Sequence, residues 1–133
     1  MITIYTDGGS RGNPGKSACA FVIVKDNEIG YQESKFLGIK TNNEAEYHAI
    51  ILALTHVSKS HEKEIELKSD SELVIKQLNG HYKINKPHLL ELNLQVKELI
   101  EKHNLKIEFS NLKRDDKFIS QADFLVNQEL DSN

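Results

Sequence analysis

Polar and apolar positions along this chain follow two periods, one of two residues and one of three to four, and the switches between them mark its elements. Thr3, Tyr5 and Thr6 stand among apolar neighbours, and β-branched and aromatic side chains pack well on a pleated surface, so a first strand runs from Ile2 to Asp7. Gly8, Gly9, Gly12, Pro14 and Gly15 follow, which predicts a loop in which backbone comes close to a ligand. A second strand, Ser17 to Lys25, turns at Asp26-Asn27-Glu28 into a third, Ile29 to Leu37, and three strands with short links make an antiparallel meander.

The longer period begins after Gly38. Thr41, Asn42 and Asn43 are helix N-cap types, and the helix they open is expected to reach Ser60. Glu46, Ile50, Ala53 and Val57 share one of its faces, so Glu46 extends the apolar stripe, whereas Glu44 suits an exposed role at the positive end of the helix dipole. Strand four spans Glu64 to Ser69 and ends at Asp70-Ser71; a short helix follows to Leu78, with Gly80 as its stop. After the loop HYKINKPH, Pro87 opens a helix to His103 whose expected stripe holds Leu90, Leu94, Val96-Lys97 and Ile100-Glu101. Strand five is Leu105 to Leu112. The last helix, Ile119 to Leu130, carries Ala122, Asp123, Val126 and Leu130 along one side. The order βββαβααβα makes an α/β fold with a mixed five-stranded sheet flanked by helices.

With 133 residues the chain is expected to form one domain, residues 1–133, burying roughly 68% of its unfolded surface. A single cysteine, Cys19, forms no internal disulfide and fits a reducing compartment, here taken as the cytoplasm. No signal peptide or membrane span is expected, and the six histidines show no zinc-site spacing. The formal net charge of −3 hides an uneven distribution. Residues 1 to 25 hold one acid, Asp7, against Arg11, Lys16 and Lys25, and Lys76, His81, Lys83, Lys86 and His88 lie in a stretch without acids. Such a strip attracts phosphates even on an acidic protein, although ordinary solvated lysines account for any one of its members equally well.

Candidate chemistry rests on carboxylates. Asp7 and Asp70 each stand where a strand ends; a hairpin turn explains the first and a helix N-cap the second, unless both face the stripe acids Glu46 and Asp123. Gly15-Lys16-Ser17 ends like a phosphate-binding P-loop, but the position five residues earlier is Ser10 rather than glycine, and a strand follows where a helix is needed.

Four stretches, TDGGSRGNPG (Thr6 to Gly15), TNNEAEY (Thr41 to Tyr47), SDSELV (Ser69 to Val74) and QADFLVNQ (Gln121 to Gln128), together resemble type 1 ribonuclease H in order and spacing, over about the whole chain. The resemblance implies a ribonuclease H-like fold and metal-dependent cleavage of the RNA strand of an RNA–DNA hybrid, leaving a 3′-hydroxyl and a 5′-phosphate. It implies Asp7, Glu46, Asp70 and Asp123 as catalytic and metal-binding carboxylates for two Mg²⁺, with Mn²⁺ as a substitute. Two such ions would bring the formal charge from −3 to +1. It further implies substrate contacts at Gly8, Gly9, Asn13, Thr41, Asn42, Asn43, Ser71 and Arg114, the asparagines near the 2′-hydroxyl that separates RNA from DNA and Thr41 near a phosphate of the DNA strand.

The chain departs from well-known bacterial members in lacking the basic, tryptophan-containing protrusion, in whose place stands GHYKINKPH. The mobile histidine before the last aspartate is also missing, and Lys113-Arg114-Asp115-Asp116-Lys117 occupies that stretch. A monomer acting on RNA–DNA hybrids is the expectation. A DNA-junction nuclease of the same fold, a weakly active or non-catalytic nucleic-acid-binding module, and a structural partner subunit stay open as alternatives.

Overall fold

A computed structural model describes all residues, 1–133, as a sheet in the order β3-β2-β1-β4-β5 carrying four helices. In chain order these are β1 (Ile2–Arg11), β2 (Gly15–Lys25), β3 (Glu28–Lys40), α1 (Asn42–Val57), β4 (Glu64–Ser69), α2 (Glu72–Leu78), α3 (Pro87–Lys102), β5 (Lys106–Asn111) and α4 (Lys117–Asp131). The meander pairs antiparallel, while β1–β4 and β4–β5 are parallel, so β1 is the central strand where the two halves meet. One face of the sheet buries Ile4, Phe21, Ile65 and Leu67 against Tyr47, Ile50 and Leu54 of α1 and Leu92 and Val96 of α3. On the other face Ala18, Ala20 and Val22 lie under Phe118, Ala122, Leu125 and Val126 of α4. No helix is long and apolar enough to cross a membrane.

Several boundaries differ from expectation for reasons that bear on the site. Gly8 and Gly9 do not end β1: they pair with Cys19 and Ala18, because a ladder uses only backbone groups, and the strand continues to Arg11. The turn is confined to Gly12–Pro14, with Gly12 at a φ of 102° that favours glycine. β3 reaches Lys40 through a bulge that leaves Leu37 unpaired between Phe36 and Gly38. α1 stops at Val57, where Ser58 caps it, rather than at Ser60. α4 starts two residues early, because the Asp116 side chain accepts hydrogen bonds from the amides of Phe118 (2.9 Å) and Ile119 (3.1 Å).

The expected stripe of α3 holds at Val96 but is displaced in the helix's first half. Leu90 and Leu94 are 43% and 56% exposed, and the buried residues are Leu89, Leu92, Asn93 and Val96. Asn93 is drawn inward by a polar chain: its Nδ2 donates to the Tyr47 hydroxyl (3.2 Å), which donates to Gln77 Oε1 (2.7 Å). This fully buried chain fixes α3 and α2 to α1, one residue along from Glu46.

Candidate active site

The parallel register of β1 and β4 sets Thr6 beside Ser69, so Asp7, still within β1, and Asp70, just past the end of β4, stand side by side. Glu46 is carried over them by the first turns of α1. A capping box fixes where that helix begins: the Glu44 amide donates to Thr41 Oγ1 (3.2 Å) and the Thr41 amide to Glu44 Oε1 (2.9 Å). Gly8 makes the approach of α1 feasible, since a Cβ there would overlap the Ala45 carbonyl and lie 2.5 Å from the Glu46 amide nitrogen. The Gly8 amide donates to Glu46 Oε1 (2.8 Å), fixing that carboxylate. One oxygen from each of Asp7, Glu46 and Asp70 lies within 4.8 Å of the others.

Three carboxylates this close resist ionising together. Burial first, then the negative charges of Asp70 and Asp123, push the Asp7 carboxyl up to about 8. Glu46 is held well above the usual carboxylate range by burial, then by Asp7 and Asp70, and the Gly8 hydrogen bond only partly opposes this. The cation in contact is Arg114, whose Nε lies 3.3 Å from Asp70 Oδ2; its side chain is 87% exposed, so the pair contributes little. Buried anions in an all-oxygen set, short of positive charge, fit a hard divalent cation.

Asp123 is exposed on α4 and stands outside the cluster of three, although it lines the same pocket of about 170 Å³. Gly8, Gly9, Asn42 and Arg114 line that pocket too. Asn13 sits beside it, where its Oδ1 accepts the Asn42 amide (3.0 Å). The hydroxyls of Ser10 (3.1 Å) and Ser17 (3.0 Å) both donate to the Lys40 carbonyl, joining the β1–β2 turn to the start of α1. The remaining expected contacts lie elsewhere. Thr41 caps α1, and Ser71 caps α2 by accepting the Val74 amide (3.3 Å). Asn43 lines a separate cavity of about 230 Å³ with Gln77, Lys83, Asn85 and Lys86. Sequence reasoning missed Arg11 and Asn127 as pocket residues. The signals were present: Arg11 lies inside the glycine-rich stretch, and Asn127 follows Asp123 by one helical turn.

The sequence profile of the RNase H family matches residues 1–130. Ribonuclease HI of Halobacterium salinarum is 41% identical over 100 residues, covering 74% of this chain and 50% of that protein. The chain therefore spans half the length of this curated relative. A crystal structure of RNase H1 from the same archaeon superimposes with a TM-score of 0.92 at 36% identity, covering 99% of this chain and 98% of that one. LC11-RNase H1, solved in complex with RNA/DNA hybrid, superimposes with a TM-score of 0.92 at 34% identity and the same coverage.

Proposed function

The chain belongs to the RNase H family, and from that premise we propose that it is an endonuclease that hydrolyses the RNA strand of RNA–DNA hybrids, leaving 3′-hydroxyl and 5′-phosphate ends. The observation that carries this reading is the convergence of Asp7, Glu46 and Asp70 from three elements to within 4.8 Å. These three, with Asp123 at the rim, would hold Mg²⁺, with Mn²⁺ as a substitute. Two such ions, when bound, stabilise the attacking and leaving oxygens of an in-line displacement.

The protein's own part is positioning. The Gly8 amide keeps the Glu46 carboxylate aimed at the cluster, and the backbone of Gly8 and Gly9 lines the pocket where a sugar–phosphate chain would lie. Asp123 is the most solvent-open of the four carboxylates. Arg114 would move from Asp70 onto phosphate oxygens, since its guanidinium presents a fork of donors. Asn13 and Asn42, held together beside the pocket, would meet a 2′-hydroxyl of the RNA strand, while Thr41 and the cavity of Asn43, Lys83 and Lys86 would take phosphates of the DNA strand. Ser71 acts by capping α2 under Asp70. We cast the enzyme as a cytoplasmic monomer, which suits the lone Cys19 thiol, pushed up to about 12 by burial and so unreactive.

Incubating labelled RNA–DNA hybrid, duplex RNA and duplex DNA with the protein and Mg²⁺ tests this reading. Cleavage of the hybrid's RNA strand, abolished by EDTA, is expected. Cleavage of duplex DNA in preference, or no cleavage of any duplex, would overturn it.

A further inference from the structure

We propose that Arg11 is a second phosphate-gripping residue of this site, contacting a backbone phosphate of the RNA strand next to the one being cut. The inference rests on the hybrid-cleaving reading above and adds a residue to it. Arg11 is the last residue of β1, and its side chain lines the same pocket as the four carboxylates. Two cations, Arg11 and Arg114, line that pocket. Arg114 comes from the loop before α4 and is paired with Asp70. Arg11 comes from the end of β1 and is held by the last turns of α4.

The way Arg11 is held leaves it able to bind something else. Its Nη2 meets Asp131 Oδ1 at 2.6 Å, and longer contacts run from the same nitrogen to the Asn127 carbonyl (3.5 Å) and Asn127 Oδ1 (3.4 Å). Nε and Nη1 make no hydrogen bond, so three of the five guanidinium N–H donors are free, and a complete fork edge opens once Nη2 leaves Asp131. The two side chains of the pair are 48% and 68% exposed, and an ion pair that exposed contributes little and exchanges readily. A phosphate, with oxygens spaced for the fork, is a stronger partner than a solvated carboxylate. α4 therefore holds a cation at the pocket, through Asn127 one helical turn beyond Asp123 and Asp131 two turns beyond it.

A purely structural role, pinning the turn to α4, predicts that losing either partner has the same effect. Phosphate binding predicts opposite effects, because removing Arg11 deletes a contact while removing Asp131 deletes a competitor and an anion from the substrate's path. KM, kcat and their salt dependence on an RNA–DNA hybrid separate the two. Arg11→Ala is expected to raise KM by about tenfold, more than it changes kcat, and to lower the slope of log KM against log salt by about one. Arg11→Lys, which keeps the charge but not the fork, is expected to fall between, with the wild-type salt slope. Asp131→Asn is expected to leave KM at or below wild type, although both single changes lower the melting temperature equally. The Arg11→Ala effect is expected to persist on a hybrid whose DNA strand carries neutral methylphosphonate linkages.

An equal rise in KM for Asp131→Asn and Arg11→Ala would overturn the proposal, as would an unchanged salt slope in Arg11→Ala. Loss of the effect on the neutralised DNA strand would overturn it as well. Should wild type itself fail to cut the hybrid, the fault lies with the hybrid-cleaving reading instead.

Discussion

Asp7→Asn is expected to stabilise the protein when divalent ions are removed, because it relieves a cost that the folded chain carries. Folding raises the Asp7 carboxyl from 3.8 to about 8. A carboxyl raised on folding carries no penalty below its unfolded value. The penalty grows by about 1.4 kcal/mol per pH unit as the pH climbs through the window from about 4 to 8, and is complete above it. At pH 7 it amounts to roughly 4 kcal/mol as a ceiling, and at pH 5 to roughly 1.6 kcal/mol. The substituted amide brings its own burial cost of about 1–3 kcal/mol, independent of pH. The variant is thus expected to be about 1–3 kcal/mol more stable than wild type at pH 7, on the order of 5 °C in melting temperature. By pH 5 the advantage is expected to vanish. Unfolding followed by circular dichroism in EDTA, from pH 5 to 8, measures both. A variant less stable than wild type by an amount that does not change with pH would show that Asp7 is an ordinary satisfied side chain, and that anion crowding is not the physics of this site.

Mg²⁺ at about ten times its Kd is expected to stabilise wild type by on the order of 1.4 kcal/mol and Asp7→Asn by clearly less, and equal shifts in melting temperature would argue against Asp7 as a ligand. Gly8→Ala forces a Cβ into the Ala45 carbonyl, so it is expected to cost about 1–3 kcal/mol and to weaken Mg²⁺ binding by displacing Glu46; a denaturant melt and a metal titration check each part. Changing Lys83 and Lys86 together to Ala is expected to raise KM for hybrid and flatten its salt dependence by about one unit per lost contact, whereas an unchanged slope returns both to the class of solvated lysines.

Much of this architecture was legible because certain residues answer to one constraint only. Glu46, Ile50, Ala53 and Val57 recur at helical spacing on the face of α1 that meets the sheet, so the burial of Glu46 followed directly. The parallel pairing that brings Asp7 beside Asp70 followed from a strand returning through a helix. α3 was different: leucines at 89, 90, 92, 94 and 99 offer two candidate stripes, and tertiary contacts chose between them, with Asn93 buried because Tyr47 accepts its amide. The glycines after Asp7 misled in a similar way. Composition alone marks Gly8 as a loop residue, whereas pairing with Cys19 keeps it in the strand and the closeness of Ala45 explains why it carries no side chain. Asp123 shows a limit of helical periodicity, which placed it beside an apolar stripe but did not reveal that it stops at the rim, outside the cluster of three.

The central claim, that Asp7, Glu46 and Asp70 form the metal-dependent cleavage centre, is tested most directly by the single-turnover rate of RNA-strand cleavage by Asp7→Asn with saturating Mg²⁺, alongside circular dichroism that shows the variant folded. Losing a charged ligand from such a centre removes several kcal/mol of transition-state stabilisation, so a fall of about a thousandfold is predicted. A folded variant that cuts the hybrid within a few-fold of the wild-type rate would contradict it.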